Sequence, residues 1–444
     1  MSTLTSDPLG NAITLNEPAS QQGINDFVDG FLRCEARVAN VLEAGAHDDS
    51  PYVQACCAAL HMFSESGEGP PNARPFIARA NSSGLEITSR ERLFVASVSS
   101  WVNGDIERSV ALLEQLLQEH PRDLASLKLA QYHLFNKGDS AAMLRLALQS
   151  MGSAADVAQL HGMAAFGWEQ CHFLEQAESA ARRAIDMEPR EPWAQHALAH
   201  VMLTQGRVGE GRAFMQAASP GWTGLNSFMV THAWWHLALF LIELDLHDEA
   251  LVLYDTQVWG VVKAYSQDQI GAVSLLARLE LAGADVGNRW QDVGRHVLAH
   301  TSDHVLPFLD LQYLYGLARA GLPQADTMIQ SIQAHAATRN GPDGEIWRCV
   351  CVPAAQGLLA HARGEFATAV ESLGVALPRL IEIGGSHAQR DLFEQVHLDA
   401  LIRSGRKGAA LHLVQQRARQ APESRRLQRL ARQVHKATGL ANWL

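Results

Sequence analysis

The sequence predicts an all-α protein, an α-solenoid built from repeated antiparallel helix pairs. Three observations support this prediction. Glycines recur at turns between segments with helical apolar periodicity, prolines stop several of these segments, and no strand alternation of useful length interrupts them. A chain of 444 residues also exceeds the size at which one compact core stops growing, which favours a repeat array.

The glycine turns set the repeat. The clearest turns are centred on Gly104, Gly138, Gly206, Gly364 and Gly405. A glycine just after a helix adopts the left-handed conformation that ends it, and a later proline blocks continuation of the next helix. The step from Gly104 to Gly138 is 34 residues, the period of the tetratricopeptide repeat (TPR). We therefore expect a TPR-like superhelix whose helix pairs enclose a concave pocket.

The units match this repeat unequally. The unit that ends at Pro189 matches best, because Ala177, Ala181 and Ala184 provide small residues for close helix contact. Another unit has Asp245 where the glycine turn is expected. The predicted segments are a flexible N-terminus (1–23), a helical N-terminal cap (24–89), TPR-like helical repeats (90–421) and a C-terminal capping helix (422–444), since solenoid ends must shield their apolar faces.

Composition limits the partners. Lys+Arg 36 against Asp+Glu 47 gives a net charge of −11, which argues against non-specific binding to nucleic acid or anionic membranes. The six cysteines show neither zinc-knuckle spacing nor a disulfide framework, so a reducing compartment fits best. The N-terminus does not resemble a signal peptide, and no apolar run reaches the roughly 20 residues of a membrane span. We expect a cytoplasmic protein.

The residues expected to face inward have unusual chemistry. TPR units present fixed positions of their first helix to the concave side, which the likeness to TPR implies and periodicity alone does not prove. Counting from each glycine turn, the inward residues are Lys128, Tyr132, Phe135, Phe166, Glu169, His196, His200, His232 and Trp235, with His236 one step round the helix. Trp235 would form an inner wall, although a purely structural role fits it equally well.

Two histidine pairs are the strongest candidate site. His196 and His200, and likewise His232 and His236, are four residues apart, so each pair lies on one face of its helix. With Glu169 nearby they would make a nitrogen and oxygen site suited to a divalent metal, zinc or iron. The alternative is that these histidines fill gaps between helices and bond to backbone carbonyls. The zincin pattern is absent, because no glutamate follows the first histidine.

The ordered motifs resemble the tetratricopeptide repeat protein 38 family from about residue 24 onward. The motifs that resemble it are His196-Ala-x-x-His200-Val, Gln205-Gly-Arg-x-x-Glu210-Gly, Asn226-x-Phe228, His232-x-x-Trp235-His236-x-Ala238-Leu, Tyr254-Asp255 and Gly384-Gly-Ser-x-x-Gln389-Arg390-Asp391. The resemblance implies the fold and candidate positions, and it implies no particular reaction. In the last motif Ser386 suits a helix N-cap better than a catalytic triad.

Three functions remain open at this stage. The first is a closed pocket for a small molecule, in which the four histidines act as acid/base groups or metal ligands, Glu169 or Asp255 orients an imidazole, and Trp235 walls the substrate. Other ligand-binding candidates are Phe166, Tyr132, Lys128, Gln389, Arg390 and Asp391. The second is a scaffold that binds a peptide or partner protein in the concave groove. The third, compatible with either, is self-association into a homodimer.

Overall fold

The computed structural model describes residues 3–440, which form two compact units. Unit 1 comprises Met1–Leu198 and Gly221–Met229, and unit 2 comprises Ala199–Pro220 and Val230–Leu444. The predicted flexible N-terminus and the predicted C-terminal capping segment extend past this range, so residues 1–2 and 441–444 lie outside the described residues.

Unit 1 begins with a β-hairpin and continues as helices. The strands are β1 (Thr3–Ser6) and β2 (Ala12–Leu15), paired antiparallel. The helices are α1 (Ser20–Arg33), α2 (Val41–His47), α3 (Pro51–Met62), α4 (Gly69–Ser82), α5 (Ser89–Val102), α6 (Ile106–Glu119), α7 (Leu124–Asn136), α8 (Ser140–Ala154), α9 (Ala158–Gln170) and α10 (Leu174–Met187).

Two helices contribute to both units, and the remainder belong to unit 2. The shared helices are α11 (Pro192–Thr204) and α13 (Ser227–Glu243). The helices of unit 2 are α12 (Val208–Ala218), α14 (His247–Leu253), α15 (Ser266–Leu281), α16 (Arg289–Val297), α17 (Pro307–Arg319), α18 (Gln324–Thr338), α19 (Gly341–Ile346), α20 (Val352–Ala362), α21 (Phe366–Ala376), α22 (His387–Arg403), α23 (Lys407–Gln420) and α24 (Arg425–Thr438).

The structure confirms the all-α, TPR-like class. Consecutive helices such as α5 and α6, α9 and α10, and α20 and α21 pack against each other across short turns. Each predicted turn glycine has a positive φ, from 70° at Gly206 to 80° at Gly104. Asp245, which replaces glycine in a degenerate unit, has the same left-handed conformation with a φ of 58°. The left-handed turn conformation is therefore retained at a position where aspartate replaces glycine.

Small residues bring the helices together as the repeat requires. Ala177, Ala181 and Ala184 are fully buried on one face of α10, which packs on α9. A Cβ at Gly167 would lie 3.0 Å from the Leu144 Cα, so α9 approaches the backbone of α8 closely. This close approach explains why bulky side chains are missing from these positions.

The predicted flexible N-terminus contains the β-hairpin, which the sequence did not indicate. The backbone N–H of Thr14 donates to Glu91 Oε1 at 2.7 Å, and the Thr14 hydroxyl donates to Glu91 Oε2 at 3.0 Å. Arg90 also donates to the Ala12 carbonyl at 2.8 Å. Four-residue strands are too short to show a clear alternation, and this hairpin is held by side chains from α5 about 77 residues later in the chain.

Basic residues of α24 form ion pairs with acidic residues elsewhere in unit 2. Arg426 pairs with Glu243 at 2.7 Å, and both side chains are largely buried. Arg429 pairs with Asp245 at 2.9 Å and also donates to the Ala282 carbonyl at 2.7 Å. Helix α24 is thereby fixed to the end of α13 and to the turn that follows it.

Candidate functional site

Helix α13 supplies three of the side chains at the candidate site. His232 and His236 lie one turn apart on it, and Trp235 lies between them with a relative exposure of 1%. The His232 ring stacks on the Trp235 ring with centroids 5.2 Å apart and an angle of 9°, while the His236 ring meets Trp235 edge-on at 4.9 Å. The i, i+4 spacing thus places both histidine rings on one face of α13, where they pack against Trp235.

Within unit 2, the structure brings His200 together with both histidines of the second pair. The ligand nitrogens of His200, His232 and His236 lie within 4.8 Å of one another, and we call these residues the three-histidine cluster. The Nε2 atoms of His232 and His236 are 3.2 Å apart, and the rings of His200 and His236 are 4.5 Å apart. His196 precedes His200 by one turn of α11 and packs in unit 1 against Phe166 and Trp193.

Burial keeps part of this cluster neutral. Removal from water lowers the pKa of His232 to about 3, and the neighbouring His200 lowers it further in the same direction. His232 is therefore an uncharged imidazole at neutral pH, with a lone pair free of competition from a proton. That is the form in which histidine binds metals.

The cluster fits a zinc ion by donor type and by spacing. Imidazole nitrogens about 2.0–2.1 Å from a tetrahedral zinc lie about 3.4 Å from one another, close to the 3.2 Å between His232 and His236. Small rotations would bring the third nitrogen to the same distance, because all ligand nitrogens already lie within 4.8 Å. A zinc ion held by three imidazoles alone would keep one tetrahedral position for water or a ligand.

A pocket adjoins the cluster in unit 2. It has room for about one water molecule. Its lining residues are His232, Trp235, Gln267, Ile270, Gly271, Ser274, Phe308, Gln312 and Gln389. His232 belongs to both the pocket wall and the three-histidine cluster. A molecule in the pocket would therefore contact one of the candidate metal ligands.

A partly buried ion pair supports the pocket wall. The Arg278 guanidinium lies 5.5 Å from the centre of the Trp235 ring and pairs with Asp391 at 3.1 Å. Burial alone would raise the pKa of Asp391, but the Arg417 and Arg278 guanidinium groups hold it below its usual value. Arg278 also donates to the backbone carbonyls of Ala388 and Gln389, so it links α15 to the start of α22 beside the pocket.

In the C-terminal motif (residues 384–391), side chains form contacts within the protein, and Gln389 also lines the pocket. Ser386 and Gln389 form the reciprocal hydrogen bonds of a capping box at the start of α22, as the sequence predicted for Ser386. Arg390 donates to the Gly385 carbonyl and to His387, while Asp391 holds Arg278 and Arg417.

Other predicted site residues have structural partners elsewhere. In unit 1, Lys128 donates to the Phe31 and Leu32 carbonyls at 2.7 and 3.0 Å, and Tyr132 donates to Glu65 at 2.8 Å. Glu169 is buried in α9, where the Gln170 side-chain amide donates to it. In unit 2, Asp255, which the sequence suggested could orient an imidazole, forms a two-point ion pair with Arg289 at the surface.

Sequence reasoning missed one serine, histidine and aspartate constellation. His304 Nδ1 lies 2.6 Å from Asp310 Oδ2, and His304 Nε2 lies 2.7 Å from the Ser331 hydroxyl. Burial raises the pKa of Asp310 to about 6. Ser331 lies inside α18, whose backbone N–H groups are used by the helix itself, so this arrangement anchors the loop before α17 to α18. The spacing of these residues in the sequence gives no signal of it.

Comparison with known proteins adds the following. No protein-family model matches the chain. The chain is 12% identical to a chain of the APC/C hetero-tetramer Cut9-Hcn1, with a TM-score of 0.42, and the match covers 86% of this chain and 62% of that chain. It is 13% identical to yeast Tom70, with a TM-score of 0.47, and the match covers 74% of this chain and 66% of Tom70. It is 12% identical to the human IFIT1 dimer with PPP-AAAA, with a TM-score of 0.43, and the match covers 94% of this chain and 92% of that chain. This chain thus spans less than two thirds of the length of the Cut9-Hcn1 chain and of the Tom70 chain that it matches.

In residues 3–440, no helix combines the length and apolarity needed to cross a bilayer.

Proposed function

We propose that unit 2 binds a small molecule in the pocket beside the three-histidine cluster, and that the cluster holds a zinc ion. The observation that supports this most directly is the double role of His232, which lines the pocket and lies within 4.8 Å of the other ligand nitrogens. Among the described residues, the cluster offers imidazole nitrogens alone, a donor set that suits zinc better than the mixed site expected with Glu169.

The chemistry of such a site follows from its open position. A zinc ion bound by three imidazoles lowers the pKa of a bound water and polarises a carbonyl oxygen. In this chain, His232 would present that position to the pocket, and Trp235 would limit the approach of the ligand on the adjacent wall. The resemblance to the tetratricopeptide repeat protein 38 family is part of this proposal for the fold and positions, and it specifies no reaction.

Metal content tests the proposal. The full chain is purified without a polyhistidine tag, and its metals are measured by inductively coupled plasma mass spectrometry beside a His200→Ala/His236→Ala variant. We expect near-stoichiometric zinc in the wild type and its loss in the variant, with helicity by circular dichroism retained in both. A wild type that stays metal-free after incubation with zinc would show that the histidines are packing groups.

A further inference from the structure

One short stretch of unit 2 contacts the ends of both helices that carry the three-histidine cluster. Residues 420–429, which we call the clamp segment, run from the last residue of α23 through the following loop into α24. They contact the turn after α11 and the end of α13. His200 lies about one turn before the end of α11, and His236 lies about two turns before Glu243, the last residue of α13. The clamp segment therefore joins the two helices close to the histidines.

The contact with the turn after α11 is a close approach of two backbones. A Cβ built at Gly206 would lie 2.6 Å from both the Ala421 Cα and the Gln420 carbonyl oxygen. Only a glycine lets the two backbones come this close. At the start of α12, the backbone N–H of Gly209 donates to Glu423 Oε2 at 3.0 Å. The connection between α11 and α12 is therefore held at two points.

The contact with the end of α13 is an ion pair with supporting hydrogen bonds. Glu243 accepts from the Ser424 hydroxyl and from the Arg426 guanidinium, the latter at 2.7 and 2.9 Å. The Glu243 and Arg426 side chains are largely buried, so salt and water screen their attraction only weakly. Arg429 pairs with Asp245 at 2.9 Å, just beyond the helix. Movement of α13 away from the clamp segment would leave buried charges without partners, which is strongly unfavourable.

The spacing of α11 and α13 decides whether the cluster can hold a metal. His200 comes from α11 and His236 from α13, and their rings lie 4.5 Å apart. A zinc site tolerates deviations of only about 0.2 Å in its ligand distances. Both side chains are buried, so apart from small rotations their positions follow the backbones of their helices. Contacts that fix the ends of the two helices therefore also fix the distance between these ligands.

Resting on the zinc site proposed above, we infer that the clamp segment positions the three-histidine cluster. By holding the turn after α11 to the end of α13, it sets the separation of His200 from His236 and thereby the affinity for zinc. Its residues are not ligands and act only through the two helices. A clamp segment with a purely structural role would stabilise the fold and leave the zinc affinity of the folded protein unchanged.

A single glycine substitution displaces the clamp segment without altering a histidine. In Gly206→Ala, the added methyl group would press on the backbone of Ala421, and the φ of 70° would strain the turn. The matched control is Gly321→Ala, because Gly321 has the same φ of 70° and a Cβ there meets no atom within 4 Å. Both variants thus carry the same backbone strain, and only Gly206→Ala moves the clamp segment.

Zinc affinity of the full chain is measured by competition with a chromophoric chelator. We expect Gly206→Ala to bind zinc about 10–100-fold more weakly than Gly321→Ala, the loss found when residues that orient metal ligands are replaced. Circular dichroism checks that both variants are folded. If Gly206→Ala is not, Glu423→Ala takes its place, since it removes only the exposed side chain that bonds to Gly209. It should weaken zinc binding about three- to tenfold relative to wild type, the weight of one hydrogen bond.

A measurement on zinc-free protein separates this inference from the zinc site itself. Modification of His200 and His236 by diethyl pyrocarbonate, located by peptide mass mapping, should be faster in Gly206→Ala than in Gly321→Ala. If the wild type binds zinc and the variants bind it equally well, the inference is wrong and the zinc site stands. If the wild type binds no zinc, the zinc site is wrong and the modification rates decide, with a faster reaction in Gly206→Ala supporting the positioning role and equal rates overturning it.

Discussion

The Nε2 atoms of His232 and His236 lie 3.2 Å apart on consecutive turns of α13. Without a metal this distance corresponds to a hydrogen bond in which one imidazole donates to the other. With a metal it is close to the edge of a zinc coordination tetrahedron, about 3.4 Å. The same two side chains can therefore serve either state with little movement.

The first prediction concerns zinc affinity. Replacing His232 with alanine removes one of the three proposed ligands, and we expect zinc affinity to fall by at least about 100-fold, since even residues that only orient ligands are worth about 10–100-fold. Competition with a chromophoric chelator measures the change. The control is His412→Ala, at an exposed position of α23, and equal affinity in the two variants would refute the assignment of His232.

The second prediction compares a buried with an exposed ion pair in unit 1. Arg90 and Asp123 are 2.7 Å apart and almost fully buried, whereas Arg122 and Asp156 pair near the surface at 2.6 Å. Asp123→Asn keeps the side-chain oxygen that caps α7 but leaves the Arg90 charge without its partner, so we expect a loss of about 3–5 kcal/mol in the free energy of unfolding.

The matched control is Asp156→Asn, for which we expect a change of at most about 1 kcal/mol because solvent screens that pair. Urea denaturation followed by circular dichroism measures both changes. Similar losses of unfolding free energy in the two variants would mean that the buried pair stabilises the protein no more than the exposed pair.

The third prediction is a pH dependence caused by His133. It is 2% exposed, its ring meets Trp101 edge-on at 4.8 Å, and burial lowers its pKa to about 3, with a smaller effect from the Lys137 charge. In the unfolded chain its pKa is about 6.5, so between these values the unfolded state binds a proton that the folded state excludes. The contribution of the neutral His133 to the free energy of unfolding is therefore complete above about pH 6.5. It is lost as the pH falls below that value, because the unfolded chain then gains a proton that the folded protein does not bind.

His133→Gln removes this titration, so its free energy of unfolding should fall less steeply than that of the wild type between about pH 6.5 and 5. The difference in slope can reach about 1.4 kcal/mol per pH unit. Denaturant titrations at several pH values measure it, and the two slopes should coincide above about pH 7.5. Parallel slopes below pH 6.5 would contradict the assignment.

The fold could be predicted from the sequence because its signals are local. Gly104 and Gly138 mark turns by their own conformational freedom, and Ala177 and Ala181 mark close helix contacts by their size. Even Asp245 follows the rule, since aspartate tolerates the left-handed conformation better than most residues. The hairpin was missed because its stability comes from Glu91, which is distant in the sequence.

The site could be predicted only in part. The spacing of His232 and His236 fixes their relative position on α13, but the approach of His200 depends on how α11 and α13 pack within unit 2. The partner of Asp255 proved to be Arg289, 34 residues further along the chain. The sequence could not predict that Gln312 lines the pocket with a buried side-chain oxygen, because the pocket wall forms only when α15, α17 and α22 have packed together.

The fourth prediction concerns the packing that supports α13, which also positions the histidines. A Cβ at Gly211 in α12 would lie 2.2 Å from the ring of Phe240, and that ring is fully buried. Gly211→Ala should therefore destabilise the protein by about 1–3 kcal/mol and lower its melting temperature. At Gly374 in α21 a Cβ meets nothing within 4 Å, so Gly374→Ala should stabilise by about 0.5–1 kcal/mol because alanine is the better helix former. Scanning calorimetry gives both signs, and a stabilising Gly211→Ala would mean that α12 can move away from Phe240 at no cost.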